Sequence, residues 1–150
     1  MNDLLKTARQ LLSEGGYTCV LYDGTRTLTA TQRGVAPLLQ WLNTEQGSAS
    51  YVAADRVVGK AAAYLYVLLG ITAVHAGVIS RPALAVLERY GIKASYDTVV
   101  DAIQNRTKDG FCPMERAVWE IDDPREAHCA IIQTLAALRA KQNEGSSQQS

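Results

Sequence analysis

The chain has 150 residues, 47% of them hydrophobic and 20% charged, with 15 basic side chains balancing 15 acidic ones. That length and composition predict one globular domain with a real core, and they exclude two full-sized domains and a disordered chain. A neutral charge balance excludes a broad pull on a phosphate backbone, so general nucleic-acid binding is not expected, although a local basic pocket is compatible with it.

Leu4, Leu5, Ala8, Leu11 and Leu12 form a helical stripe that Gly15-Gly16 ends. Tyr17 to Tyr22 then predicts a strand, Asp23-Gly24 a tight turn, and Arg26 to Ala30 the returning strand. Gly34 precedes a short amphipathic helix with Pro37 in its first turn, and residues 44–50 read as a polar loop. Tyr51 to Ala54 is expected as a short extended approach to an Ala-rich helix over about Val58 to Leu69, closed by Gly70. Ile71 to Ile79 has the β-branched content of an interior strand; the most apolar segment, Ala61 to Ile79, contains Gly70, His75, Gly77 and a turn signal, and reads as a buried helix followed by a strand, not a membrane span. Ser80 predicts the cap of a helix with Pro82 in its first turn and Gly91 at its end. Ile92 to Tyr96 predicts a short strand, and Asp97 the cap of a helix through Ile103. Cys112-Pro113 opens a short helix, and Asp123-Pro124-Arg125-Glu126 reads as a capping box for the last one. Residues 1–140 are therefore expected as a single domain, and the Gln, Asn, Gly and Ser of 141–150 as a disordered polar tail.

Alternating strands and helices after an antiparallel hairpin predict an α/β protein, a three-layer α/β/α sandwich on a mixed sheet of about five strands. No basic segment followed by an unbroken apolar stretch opens the sequence, and Cys19, Cys112 and Cys129 make no CxxC pair. Reduced thiols in a cytoplasmic protein without membrane contact are the expectation. No cofactor is expected, and the sequence is compatible with a homo-oligomer.

Four short segments occur in a recognisable order: Ala36-Pro37-Leu38-Leu39, Asp55-Arg-Val-Val-Gly59-Lys60-Ala-Ala-Ala63, Ile79-Ser80 and Cys112-Pro-Met-Glu115. Together they resemble a bacterial family called domain of unknown function 1893, over roughly residues 15 to 120. The resemblance implies a cytidine-deaminase-like fold and no agreed activity. Active enzymes of that fold need an H-x-E or C-x-E at one helix start and P-C-x-x-C at the next, because zinc requires three converging ligands and a Glu to move the proton. Here Lys60 stands where the Glu belongs, and Ser80-Arg81-Pro82-Ala83 replaces the cysteine motif. The motifs therefore specify no reaction, and a zinc-dependent deaminase is not expected; no metal is expected.

The candidate ligand-binding residues are Asp55, Gly59, Lys60, Ser80, Arg81, Cys112 and Glu115, with Lys60 and Cys112 as candidate catalytic groups. A lysine at a helix start opposes the helix dipole, and Lys60 reads as an anion-binding cation or reactive amine, or as a surface lysine early in a helix. Asp55 reads as its partner or as a cap carboxylate. Cys112 reads as a nucleophile or sulfur carrier, or simply as a helix entrance with Glu115 bonding its own backbone. Ser80 and Arg81 read as a cap and first-turn charge, with Arg81 a second phosphate contact. The leading expectation is a nucleotide or ADP-ribose-type ligand bound near Lys60. The alternatives are covalent or sulfur-transfer chemistry at Cys112 or Lys60, and a non-catalytic interaction or scaffold module. His75 reads as a packed core histidine, and His128 with Cys129 lacks metal-ligand spacing.

Overall fold

The computed structural model describes residues 3–32, 34–44, 50–104 and 112–148. In chain order it has α1 (Asp3–Gly15), β1 (Cys19–Tyr22), β2 (Thr27–Ala30), α2 (Ala36–Thr44), β3 (Val52–Val58) and α3 (Lys60–Leu69). β4 (Ala73–Ser80), α4 (Arg81–Arg89), β5 (Lys93–Val100), α5 (Pro113–Val118) and α6 (Pro124–Gln148) complete it.

The strands form one five-stranded sheet in the order β2-β1-β3-β4-β5. β1 runs antiparallel to β2 and β3, whereas β3, β4 and β5 are parallel. The β1–β2 connection is held by Asp23, whose Oδ1 accepts the Thr25 and Arg26 N–H groups at 2.8 and 2.6 Å. Parallel neighbours need crossovers, and α3 and α4 supply them.

One face of the sheet carries α1, whose Leu5, Ala8 and Leu12 pack on Val20, Val52, Ala54 and Ala73. The other face carries the larger core, in which Leu21, Ala53, Val74 and Ala76 meet Ala61, Leu65, Leu87 and Ile131. This is the expected mixed three-layer sandwich. α3 is its central helix, flanked by α2, α4, α5 and α6. Its run of alanines therefore sits where close neighbours leave no room for bulk. At the β3–β4 seam the backbones come closer still: a Cβ on Gly77 would lie 2.7 Å from the Arg56 carbonyl oxygen.

Three sequence expectations need correction. β3 is a full central strand to Val58, and α3 begins at Lys60 rather than Val58. Asp55 and Arg56 look like strand breakers, but Arg56 donates from Nε to the Tyr17 carbonyl at 2.6 Å and Asp55 finds partners described below. Asp97 caps no helix: it lies inside β5, which continues to Val100. An edge strand with one open face accepts such a carboxylate without burying it. α6 also runs on as helix to Gln148, past the Lys141 boundary expected for the tail. The helix expected from Asp123 does form there, with Asp123 Oδ1 accepting the Arg125 N–H at 3.0 Å. Residues 45–49 of the expected loop and residues 149–150 of the expected tail lie outside the described residues. No helix among the described residues is long and apolar enough to cross a membrane.

Candidate functional site at the start of α3

β3 and β4 end side by side, with Val58 paired to Ile79, so α3 and α4 start from neighbouring points at the carboxyl edge of the sheet. That edge is where open α/β sheets place ligands. Gly59 is the N-cap of α3 and carries no side chain to bond the free N–H groups of the first turn.

Glu115 does that work from a distance. Its Oε1 accepts the Lys60 N–H at 2.5 Å and its Oε2 accepts the Ile103 N–H at 2.9 Å. The residue is only 1% exposed. A buried carboxylate against a helix N-terminus is well placed electrostatically, since charge and dipole agree. Gly59 suits this approach, because a Cβ there would press tightly on the site, 3.2 Å from both Glu115 oxygens and 3.1 Å from Ile103 Cγ1. Cys112 joins the same knot through its backbone, donating its N–H to the Ile103 carbonyl at 2.9 Å. Gly59, Lys60, Cys112 and Glu115 are thus brought together around Ile103. Glu115 does not bond its own helix, as a capping box would; it clips α5 onto the start of α3.

The Lys60 side chain leaves this knot. Its Nζ donates to the Trp119 carbonyl at 2.7 Å, at the end of α5, and lies 5.7 Å from the centre of the Tyr64 ring. Tyr64 in turn donates its hydroxyl proton to the Ile121 carbonyl at 2.5 Å. Lys60 is 8% exposed, and among the described residues no carboxylate lies within ion-pair distance of its ammonium. An ammonium has three protons to donate, and one is accounted for by Trp119.

Asp55 does not pair with Lys60. It sits in β3 facing α3, where its Oδ2 accepts the Tyr66 hydroxyl proton at 2.6 Å and its Oδ1 accepts the Val57 N–H at 3.3 Å. Cys19 Sγ lies 3.2 Å from the same tyrosine oxygen. Burial pushes the Asp55 carboxyl up to about 6, against the hydrogen bonds from Tyr66 and the backbone, which lower it. Burial likewise raises the Cys19 thiol, which makes it a poor nucleophile.

Ser80 is buried at the start of α4, and its Oγ accepts the Ala83 N–H at 3.3 Å. Arg81 turns outward to Asp101, 3.0 Å away, with both side chains largely exposed. Cys112 is the N-cap of α5 and makes no side-chain capping bond. Sequence reasoning missed Tyr64, Ile103 and Trp119. Two of these contribute backbone atoms, which no residue type announces, and Tyr64 gives only a one-turn spacing from Lys60.

Among the described residues there is no group of three or more His, Cys, Asp or Glu side chains able to hold a metal ion. The described residues therefore offer no ligand set of the kind a zinc-dependent deaminase needs.

A family profile described as a domain of unknown function (DUF1893) matches residues 7–135, beyond the 15 to 120 expected from the motifs. The crystal structure of a DUF1893 family protein (TM1506) from Thermotoga maritima, at 2.70 Å resolution, is 28% identical. It is similar over 91% of each chain, with a TM-score of 0.81. No curated protein matches. With a profile match spanning most of its length and the same fold in a solved relative, the chain belongs to the DUF1893 family.

Proposed function

We propose that this domain is a zinc-free, cytidine-deaminase-like sandwich that binds a small anionic ligand of nucleotide or ADP-ribose type beside Lys60. The observation that carries the reading is the Lys60 ammonium itself: buried, held by one carbonyl, and without a counter-charge among the described residues. Burying an unpaired ammonium costs several kcal/mol, and a first-turn position adds the unfavourable helix dipole. A phosphate or carboxylate from a ligand would offset both.

The start of α3 is a different matter. Glu115 already occupies the place a phosphate would take there, so the anion is expected at the Lys60 ammonium under the α5–α6 turn. Gly59, Cys112 and Glu115 then act as the frame that fixes Lys60. Asp55 and Arg81, directed to Tyr66 and Asp101, are left out of the ligand contacts, and Ser80 keeps its cap. The nucleotide character of the ligand is supported by analogy of fold alone, through the parallel strands that feed α3 and α4.

Titration calorimetry with inorganic phosphate, AMP, ADP and ADP-ribose tests the reading. Saturable binding that weakens with added salt is expected for at least one phosphorylated compound. No heat from any of them at millimolar concentration would remove it.

A further inference from the structure

The opposite face of the sheet carries a second constellation, unrelated to Lys60. His75 of β4 and Ser95 of β5 are register partners, so their side chains leave the sheet together. Asp97 is two residues beyond Ser95 and therefore points to the same side. The His75 Nδ1 lies 2.8 Å from the Ser95 Oγ, and the His75 Nε2 lies 3.6 Å from the Asp97 Oδ1. These are the three groups of an activated serine, a nucleophile, a base and a carboxylate that orients the base, with the imidazole reversed relative to the serine-protease arrangement.

Access differs across the three. α1 packs on β1, β3 and the near part of β4, while β5 forms the edge of the sheet. His75 is nearly buried, Ser95 is half-buried, and the Asp97 side chain is 65% exposed. A substrate can therefore approach Ser95 from the open side of β5 without displacing a helix.

We propose that Ser95, His75 and Asp97 form a second reactive site in which Ser95 is a nucleophile toward activated carboxylic esters. Asp97 favours the tautomer with the proton on Nε2, which leaves the Nδ1 lone pair facing the Ser95 hydroxyl. In the acyl-transfer step the Ser95 oxygen bonds to the acyl carbon while its proton passes to Nδ1. The carbon–oxygen bond to the leaving alcohol breaks, and the alcohol departs with that electron pair and the proton from His75. Water then attacks the acyl-serine by the same route, releasing the acid and restoring Ser95.

The groups facing His75 are Arg9 from α1, Asp97 from β5 and the apolar Ala54 from β3; Lys93 lies two residues before Ser95. Burial and then Arg9 hold the imidazole below its ordinary value of 6.5, against the opposing pull of Asp97. The base form is thus present at neutral pH, and acylation is expected to rise with pH through a midpoint under the ordinary histidine value and then level off.

The test uses the full chain and p-nitrophenyl acetate, with the acetylated residue located by peptide mass spectrometry. Acetyl transfer to Ser95 is expected, absent in Ser95→Ala and slower by about 100-fold in His75→Gln. Asp97→Asn, at an exposed position that leaves folding intact, should slow it as well and move the pH midpoint. No acetyl group on Ser95 would overturn the proposal. So would an acylation rate unchanged in Asp97→Asn and in a folded His75→Gln.

Discussion

Glu115→Ala is expected to destabilise the domain by about 3–5 kcal/mol, the largest effect of any single substitution at the site. The two N–H groups it leaves, on Lys60 and Ile103, are tied to one carboxylate that is almost wholly buried. Each charge-assisted bond contributes about 1.5–3 kcal/mol, and an orphaned buried donor costs more than a bond replaced by water. Glu115→Gln does not repair the loss, because its amide nitrogen must face one of two N–H donors. Both variants should lower the midpoint of urea unfolding, with alanine and glutamine falling close together. An alanine variant within about 1 kcal/mol of wild type, no more than an average point substitution costs, would mean that α5 is not clipped to α3 through this residue.

The second large effect is a dependence of stability on pH that belongs to Asp55. Its carboxyl titrates at about 6 in the folded protein, against 3.8 as its ordinary value. A raised value means that the folded state holds a proton which the unfolded chain has already lost. The contribution is therefore complete below 3.8 and disappears as pH rises through about 6. The shift of about two units corresponds to ~3 kcal/mol between the two ends of that window. Asp55→Asn should abolish this slope. Its amide oxygen can keep the Val57 N–H while its nitrogen donates to the Tyr66 hydroxyl, which then turns its proton to Cys19 Sγ. Denaturant melts of both proteins on either side of the window read the effect as a difference that grows in favour of asparagine at higher pH. Parallel curves would show that Asp55 is not held protonated by burial.

How much of this was legible in the sequence depends on distance along the chain. α1, the β1–β2 hairpin, the Ser80 cap and the Cys112-Pro113 helix entrance are local events, written in stripes, turns and caps within a few residues of each other. Lys60 at a helix start is local too, and its unusual position against the dipole could be seen. Its environment could not. Glu115 reaches a backbone N–H 55 residues away, and its local context as the third residue of a short helix points to a capping role on that helix instead. Asp97 misled for the same reason: an aspartate ahead of Thr98-Val-Val-Asp-Ala-Ile103 looks like a helix cap, while its actual role depends on β5 being an edge with one open face. Asp55 and Arg56 hid a strand because their partners, Tyr66, Tyr17 and Leu12, become neighbours only once the sheet and α1 have assembled.

A Lys60 ammonium kept for a ligand is kept at a cost to stability. Lys60→Met preserves the aliphatic stem and removes the ammonium, and thermal unfolding with and without saturating ADP-ribose measures both sides at once. The ligand-free variant is expected to melt at or above wild type, gaining about 1 kcal/mol or more, because an apolar isostere removes the buried charge. ADP-ribose should then raise the melting temperature of wild type and leave that of the variant unmoved. A variant that melts well below wild type, or that keeps the full ligand-induced shift, would contradict it.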